Sequence, residues 1–143
     1  MGARNNDCSA KHEHGTYVTR RLIESAAWRA LDPKAQILHI WLRLEWKGSK
    51  FNNNGKIRLS YRQAAAKIGI GINAVMGAFH QLQAKGFILI TKRGSLGVEG
   101  EARGPTYELT DIGLPNQTPK LLFLKWKEGH DFEVIRHNSP VER

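Results

Sequence analysis

Cysteine is almost absent from this sequence, which carries a single one, Cys8, in 143 residues. A chain with one cysteine cannot close a disulfide within itself. This favours a reducing compartment, so we expect the protein in the cytoplasm. No stretch approaches the roughly 20 apolar residues of a membrane span, and the N-terminus lacks the apolar core of a signal peptide. We therefore expect no membrane partner.

Acidic residues are missing from a long middle section of the chain. Between Glu45 and Glu99 there is no aspartate or glutamate, although the whole chain has 13 acidic residues against 22 lysines and arginines and a net charge of +9. The cations of this acid-free section are Lys47, Lys50, Lys56, Arg58, Arg62, Lys67, Lys85, Lys92 and Arg93. Carboxylates there would repel phosphates, so their absence favours a nucleic-acid partner over a basic face that serves only solubility.

Patterns that carry catalysis or hold a metal are also lacking. The sequence has no paired carboxylates, no nucleophile motif and no glycine-rich loop with the spacing of a phosphate-binding site. Cys8, His12, Glu13 and His14 are close in sequence, but their spacing matches no standard zinc pattern. We therefore expect a protein that is not an enzyme and that uses neither a metal nor a cofactor.

Helical periodicity is present in the N-terminal third. Apolar residues recur at helical spacing over residues 20–31, with Thr19 as the candidate N-cap. Asp32 and Pro33 then mark the start of a second helix, which runs to about Lys47. The expected buried stripe of this helix is Ile37, Leu38, Trp41 and Leu44, with Ile40 beside them and His39 at the boundary of the core.

Two further helices are predicted within the acid-free section. Residues 56–59 alternate polar and apolar side chains, as a short strand does. Ser60 and Gln63 form a capping-box pattern that opens a helix ending at Gly69. After a tight turn, another helix is expected over about 72–85. Its predicted inner face consists of Val75, Ala78, Phe79 and Leu82.

Strands complete the pattern on the C-terminal side. Residues 87–91 and 106–110 are apolar and β-prone, and the glycine-rich residues 92–105 between them predict a long hairpin loop. The whole pattern predicts an α+β, mainly α, fold. The expected parts are a flexible tail at 1–16, the domain at 17–112, a docked C-terminal extension at 113–137 and a flexible tail at 138–143.

One run of residues carries a resemblance to a known family. The run consists of Val75, Ala78, Phe79, Leu82, Lys85, Gly86, Phe87 and Ile88, with Tyr107 to Thr110 as a returning strand. It resembles the winged helix-turn-helix proteins of bacterial regulators and of plasmid or phage replication modules, over residues 56–110. The resemblance implies a winged helix-turn-helix with N-terminal helices, whose second helix enters the major groove of double-stranded DNA.

The candidate DNA contacts are of two kinds. Cations that would reach the DNA backbone are Lys56, Arg58, Arg62, Lys67, Lys92, Arg93 and Arg103. On the outer face of the second helix the candidates are Asn73, Met76, Gly77, His80 and Gln81, of which Asn73 and Gln81 would pair with adenine and His80 with phosphate. The resemblance implies a hydroxyl residue and an arginine on that face, where this chain has Ala74 and Gly77. Gly77 has two open interpretations, close packing against a neighbouring helix and close approach of a ligand.

Two functions remain open from the sequence. The first is a non-enzymatic double-stranded DNA-binding protein, either a transcriptional regulator or a replication-accessory factor of a mobile element. The second is a protein-interaction module, such as a phage-encoded inhibitor that binds a host nucleic-acid-processing machine. The uncharged face around Ala74, Met76 and Gly77 motivates this alternative. A homodimer is open in either case.

Overall fold

The computed structural model describes residues 13–92, 95–96 and 102–136, and for 95–96 and 102–103 only the course of the backbone. These ranges form a mainly helical α+β fold, which confirms the predicted class. The helices are α1 (Arg20–Ile23), α2 (Ala26–Arg29), α3 (Pro33–Glu45), α4 (Tyr61–Ile68), α5 (Ile72–Ala84) and a 3-10 helix at Leu122–Lys125. The strands are β1 (Ile88–Lys92), β2 (Ser95–Leu96), β3 (Ala102–Arg103) and β4 (Thr106–Leu109). None of the described helices is both long and apolar enough to cross a bilayer.

The prediction of a single helix over residues 20–31 is wrong, because the chain forms two short helices there. Thr19 caps α1 as predicted, its hydroxyl accepting from the Leu22 N–H at 3.2 Å. Ser25 has an extended backbone, and its hydroxyl accepts from the Trp28 N–H at 3.2 Å. A serine in this conformation begins a new helix, so it breaks the old one.

The buried face of α3 is rotated relative to the prediction. Ile37 is 43% exposed, whereas Leu38 and Leu42 are fully buried. His39 and Arg43 are buried with them, at 0% and 4% exposure. The predicted stripe followed hydrophobicity alone, and it missed that a carboxylate from a distant part of the chain allows these two polar side chains to be buried.

The pair α4 and α5 follows the sequence prediction closely. Ser60 and Gln63 form the full capping box at the start of α4. Gly69 ends α4 with a φ of +85°, a left-handed conformation that favours glycine. The predicted inner face of α5 is confirmed, since Val75, Ala78, Phe79 and Leu82 are all at most 1% exposed.

The strands form two antiparallel pairs, which together we call the ribbon. Strand β1 pairs with β4, placing Ile88 opposite Leu109, and β2 pairs with β3 farther out. The predicted strand at 56–59 is reduced to one bridge between Ile57 and Tyr107, which exchange backbone hydrogen bonds of 2.8 and 3.3 Å. Phe79 stacks on Tyr107 with ring centres 5.2 Å apart, so α5 packs directly against this ribbon.

The chain after β4 packs back onto the helices. The ring of Phe123 stacks on Phe87 at 5.0 Å, and the Phe132 N–H donates to the Ala84 carbonyl at 2.8 Å. Gly86 has a φ of +86°, and a Cβ there would lie 2.7 Å from the Phe132 ring. At the other end, His14 Nε2 lies 2.7 Å from the Leu44 carbonyl oxygen, so the described part of the predicted N-terminal tail contacts α3.

Candidate functional site

Three of the predicted DNA-contacting cations line one cleft, which we call the cation cleft. Its volume is about 410 Å³. It is lined by Gly55, Lys56, Arg58, Thr91, Lys92 and Thr106. The side chains of Lys56, Arg58 and Lys92 are all exposed. Lys92 is far from Lys56 and Arg58 in the sequence, and the pairing of β1 with β4 beside residue 57 brings it to them.

Alternation of the backbone explains why Lys56 and Arg58 face outward. Ile57 lies between them, is fully buried and is bound to Tyr107 of β4 on both backbone groups. Successive side chains of an extended segment point to opposite faces, so both neighbours of Ile57 point away from the core. Asn54 fixes the loop just before them: its amide donates to the Leu109 carbonyl at 3.0 Å and accepts from the Leu109 N–H at 2.7 Å.

Thr91 on β1 and Thr106 on β4 line the cleft on the side of the strands. The Thr91 hydroxyl donates to the Gly55 carbonyl at 2.6 Å and lies 2.7 Å from the Thr106 hydroxyl. These bonds fix β1 against the loop, and Lys92 follows Thr91 directly. Arg58 donates to the Gly104 carbonyl at 3.0 Å, which ties the cleft to the chain entering β4.

The described lining of the cleft is positively charged. The described residues that line it include no carboxylate. Glu108 on β4 is 3% exposed and is paired with Lys120 at 2.7 Å. The cleft cations therefore keep their positive field, which is the condition for attracting an anion.

Other cations of the acid-free section have partners elsewhere in the fold. Lys85 pairs with Asp131 at 3.0 Å and lies 4.9 Å from the centre of the Trp126 ring. Hydrogen bonds from the Trp126 indole and from Lys85 lower the pKa of Asp131. Lys67 is exposed, and its ammonium lies 5.1 Å from the centre of the Trp41 ring on α3. Lys85 and Lys67 therefore contact other parts of the fold and do not line the cleft. Arg62 is exposed on α4.

The outer face of α5 is small and apolar at its centre. Ile72 is 43% exposed, Asn73 is exposed, and Met76 and Gly77 are half-buried. Apart from its two chain neighbours and the backbone of its own helix, no described heavy atom lies within 4 Å of a Cβ built on Gly77. Within that part of the chain, close packing of another helix does not explain this glycine.

Gln81 is held by the start of α3. Its amide donates to the Asp32 carboxylate at 2.9 Å, and its carbonyl accepts from the Asp32 N–H at 2.9 Å. The bond from Gln81, followed by one from the Ala35 N–H, lowers the pKa of Asp32. Both ends of the amide that the sequence assigns to adenine are therefore engaged within the protein.

His80 meets a residue that the sequence did not single out. Arg136 Nη1 lies 3.1 Å from His80 Nδ1, and Arg136 is exposed. Arg136 belongs to the chain segment that runs along α5 after Phe132. Arg136 falls in the predicted docked extension at 113–137, but the sequence does not indicate which helix that extension contacts.

A second cluster of charges, which we call the buried ion cluster, lies on the buried face of α3. It consists of His39, Arg43 and Asp111. Arg43 bonds the Asp111 carboxylate, and His39 Nε2 lies 3.6 Å from the other carboxylate oxygen. Burial alone would raise the pKa of Asp111, but the neighbouring His39 and Arg43 outweigh it, so that the pKa lies below its usual value. Sequence reasoning missed this cluster because Asp111 lies 68 residues from Arg43 in the chain.

Two candidates are not placed by the described residues. Arg93 lies outside them, and for Arg103 only the backbone course in β3 is described. Comparison with known proteins adds no further candidate, because no family model, no curated protein and no solved structure matches this chain.

Proposed function

We propose that this chain is a non-enzymatic protein that binds double-stranded DNA with a winged helix-turn-helix fold. In this proposal α4, the turn at 69–71 and α5 form the helix-turn-helix, and the ribbon of β1 to β4 is the wing. The first helix braces the second, whose outer face has the width to enter a major groove. The order of these elements and the packing of α5 against β4 support the proposal.

The cation cleft is the observation that carries this proposal. Lys56, Arg58 and Lys92 line one cleft, and Glu108 on β4 is paired with Lys120. Duplex DNA presents a dense row of phosphates, and lysine and arginine that neutralise them release counterions. A cleft with this lining therefore suits a DNA backbone beside the wing.

Binding in this proposal depends mainly on the DNA backbone and only modestly on base sequence. The cleft supplies the phosphate contacts, with Arg62 on α4 and with Arg93 and Arg103 on the wing as further candidates. On α5, Asn73 remains a candidate for an adenine contact, whereas Gln81 is engaged with Asp32. Such a protein would act as a transcriptional regulator or as a replication-accessory factor of a mobile element.

Salt-dependent binding of a random-sequence duplex tests the proposal. The wild-type chain should bind, and its affinity should fall as salt rises. The double variant Lys56→Gln/Lys92→Gln should bind more weakly, with a slope of log affinity against log salt that is shallower by about 1.8, since each phosphate contact contributes about 0.9. Lys125→Gln is the matched control, because it removes one exposed charge from the 3-10 helix outside the cleft. No duplex binding by the wild type would overturn the proposal.

The second candidate function is a protein-interaction module. Ile72 is 43% exposed and Met76 is half-buried on the same face of α5, and exposed apolar side chains commonly mark protein contacts. A phage-encoded inhibitor of a host nucleic-acid-processing machine is one form of this alternative. The same assay separates the two: absence of duplex binding, together with a stoichiometric complex with one host protein that Ile72→Ser abolishes, would favour the inhibitor.

A further inference from the structure

The helix proposed to enter the groove has no cation of its own. From Ile72 to Ala84, α5 contains neither lysine nor arginine. The first cation after it, Lys85, is paired with Asp131. A helix in a major groove lies between two rows of phosphates, so a positive charge at its outer face would have to come from another part of the chain.

The chain after the 3-10 helix lies along α5 in the reverse direction. The Phe132 N–H bonds the Ala84 carbonyl at 2.8 Å. Farther along, the amide of Gln83 donates to the Ile135 carbonyl at 3.1 Å and accepts from the Ile135 N–H at 2.8 Å. Gln83 is 5% exposed and holds both backbone groups of Ile135, so it anchors this segment as a neighbouring strand would. We call residues 132–136 the strap.

The strap places the Arg136 guanidinium over α5. Arg136 Nη1 lies 3.1 Å from His80 Nδ1, and the arginine is exposed. A guanidinium can only donate, so His80 Nδ1 is the acceptor of this hydrogen bond. Arg136 also acts on Tyr61 of α4: burial raises the pKa of that phenol, and the charge of Arg136 opposes the rise. The guanidinium therefore lies near both helices.

We infer that Arg136 is a DNA-phosphate contact, delivered by the strap to the outer face of α5; this role rests on the proposed DNA binding. Among the described residues no carboxylate forms an ion pair with Arg136, so its charge is not neutralised there. Arginine carries five N–H donors in a planar fork that fits a phosphate, and His80 takes one of them. In this arrangement Gln83 is a positioning residue that acts through Arg136.

The first test compares Arg136→Gln with Arg136→Lys in the full chain, on a random-sequence duplex. Arg136→Gln should weaken binding and make the salt slope shallower by about 0.9, the contribution of one phosphate contact. Arg136→Lys keeps the charge, so the slope should be that of the wild type. The midpoint of thermal unfolding should stay unchanged in both variants, which a merely structural role of Arg136 would not allow.

Gln83→Leu tests the anchor. Leucine has a similar volume but cannot bond the Ile135 backbone, so the strap should lose its fixed position and the salt slope should change as in Arg136→Gln. The double variant Gln83→Leu/Arg136→Gln should then bind no more weakly than either of its single variants, because both substitutions act through one contact. An additive loss would overturn the positioning role.

Duplex binding by the wild type and by the variants distinguishes failure of the Arg136 role from failure of the proposed function. If the wild type does not bind duplex, both fail. If the wild type binds and Lys56→Gln/Lys92→Gln weakens it while Arg136→Gln leaves affinity and slope unchanged, the role of Arg136 alone is overturned. Tighter binding by Arg136→Gln or Gln83→Leu would also overturn it, since the strap would then cover the DNA-binding face.

Discussion

Arg43 and Arg58 carry the same charge, but their surroundings differ. Arg43 is 4% exposed, bonds Asp111, donates to the Thr16 hydroxyl at 3.1 Å and lies 5.1 Å from the centre of the Tyr17 ring. Arg58 is exposed and bonds a single backbone carbonyl, that of Gly104. The first arginine is surrounded by partners supplied by its own chain, and the second lies in a cleft whose described lining contains no carboxylate. The comparison separates charges that serve the fold from charges that remain available for a ligand.

The buried ion cluster depends on its one carboxylate. Taking a charge out of water costs several kcal/mol, and the cost is offset only when a partner of opposite sign is close. Asp111 is that partner for both Arg43 and His39. The cation cleft shows the reverse case: its charges stay hydrated, so a missing carboxylate costs the fold nothing there.

Asp111→Ala should have the largest effect of the variants considered. It leaves the Arg43 charge buried without its carboxylate, and breaking a buried pair in this way costs about 3–5 kcal/mol of unfolding free energy. Denaturant unfolding measures the loss. The variant Asp111→Ala/Arg43→Met removes the orphaned charge as well and should recover part of the stability. A double variant that is less stable than Asp111→Ala would contradict this account of the cluster.

Acid should weaken the same cluster in the wild type. The pKa of Asp111 in the folded chain lies below its value of about 3.9 in an unfolded chain. A depressed pKa contributes stability above the unfolded value, and that contribution is lost as the pH falls through the folded value. The stability difference between the wild type and Asp111→Asn should therefore be full at neutral pH and shrink below about pH 4. Unfolding curves of both proteins across this range measure it, and a constant difference would count against the charged pair.

Arg58→Gln should affect binding and spare folding. It removes one phosphate contact, so the salt slope for duplex binding should become shallower by about 0.9. The hydrogen bond to the Gly104 carbonyl is exposed, and its loss should cost about 1 kcal/mol of stability or less. Arg43→Gln is the matched control, since it should lower the unfolding midpoint through the loss of its bond to Asp111. If Arg58→Gln and Arg43→Gln changed duplex binding and the unfolding midpoint in the same way, the two arginines would not differ in role.

The local elements of the fold were predictable from the sequence. The capping box at Ser60, the glycine that ends α4 and the inner face of α5 depend on residues within a few positions of each other. Ser25 was the exception among local signals, because the helical periodicity of residues 20–31 continues through it and hides the new N-cap. The boundary of a helix follows the capping bond, and the apolar period alone does not reveal it.

For the site, the sequence indicated which cations to consider but not where they lie in the fold. The acid-free section drew attention to Lys56, Arg58 and Lys92, but their meeting in one cleft depends on the pairing of β1 with β4. His39 was expected at the boundary of the core, and its full burial could not be predicted because its partner, Asp111, comes from the other end of the domain. Arg136 could not be predicted for the same reason, since its position follows from a bond between Gln83 and a distant backbone.

Gly77→Ala should leave the fold intact and stabilise the chain. A glycine inside a helix costs about 1 kcal/mol relative to alanine, and outside its chain neighbours and its own helix backbone the added methyl would have no described heavy atom within 4 Å. The free energy of unfolding should therefore rise by about that amount. If α5 lies against DNA as proposed, the same methyl intrudes at the contact and duplex affinity should fall, while the salt slope stays that of the wild type because no charge is lost. An increase in stability with unchanged affinity would remove Gly77 from the interface and leave the cation cleft and the strap as the proposed DNA contacts.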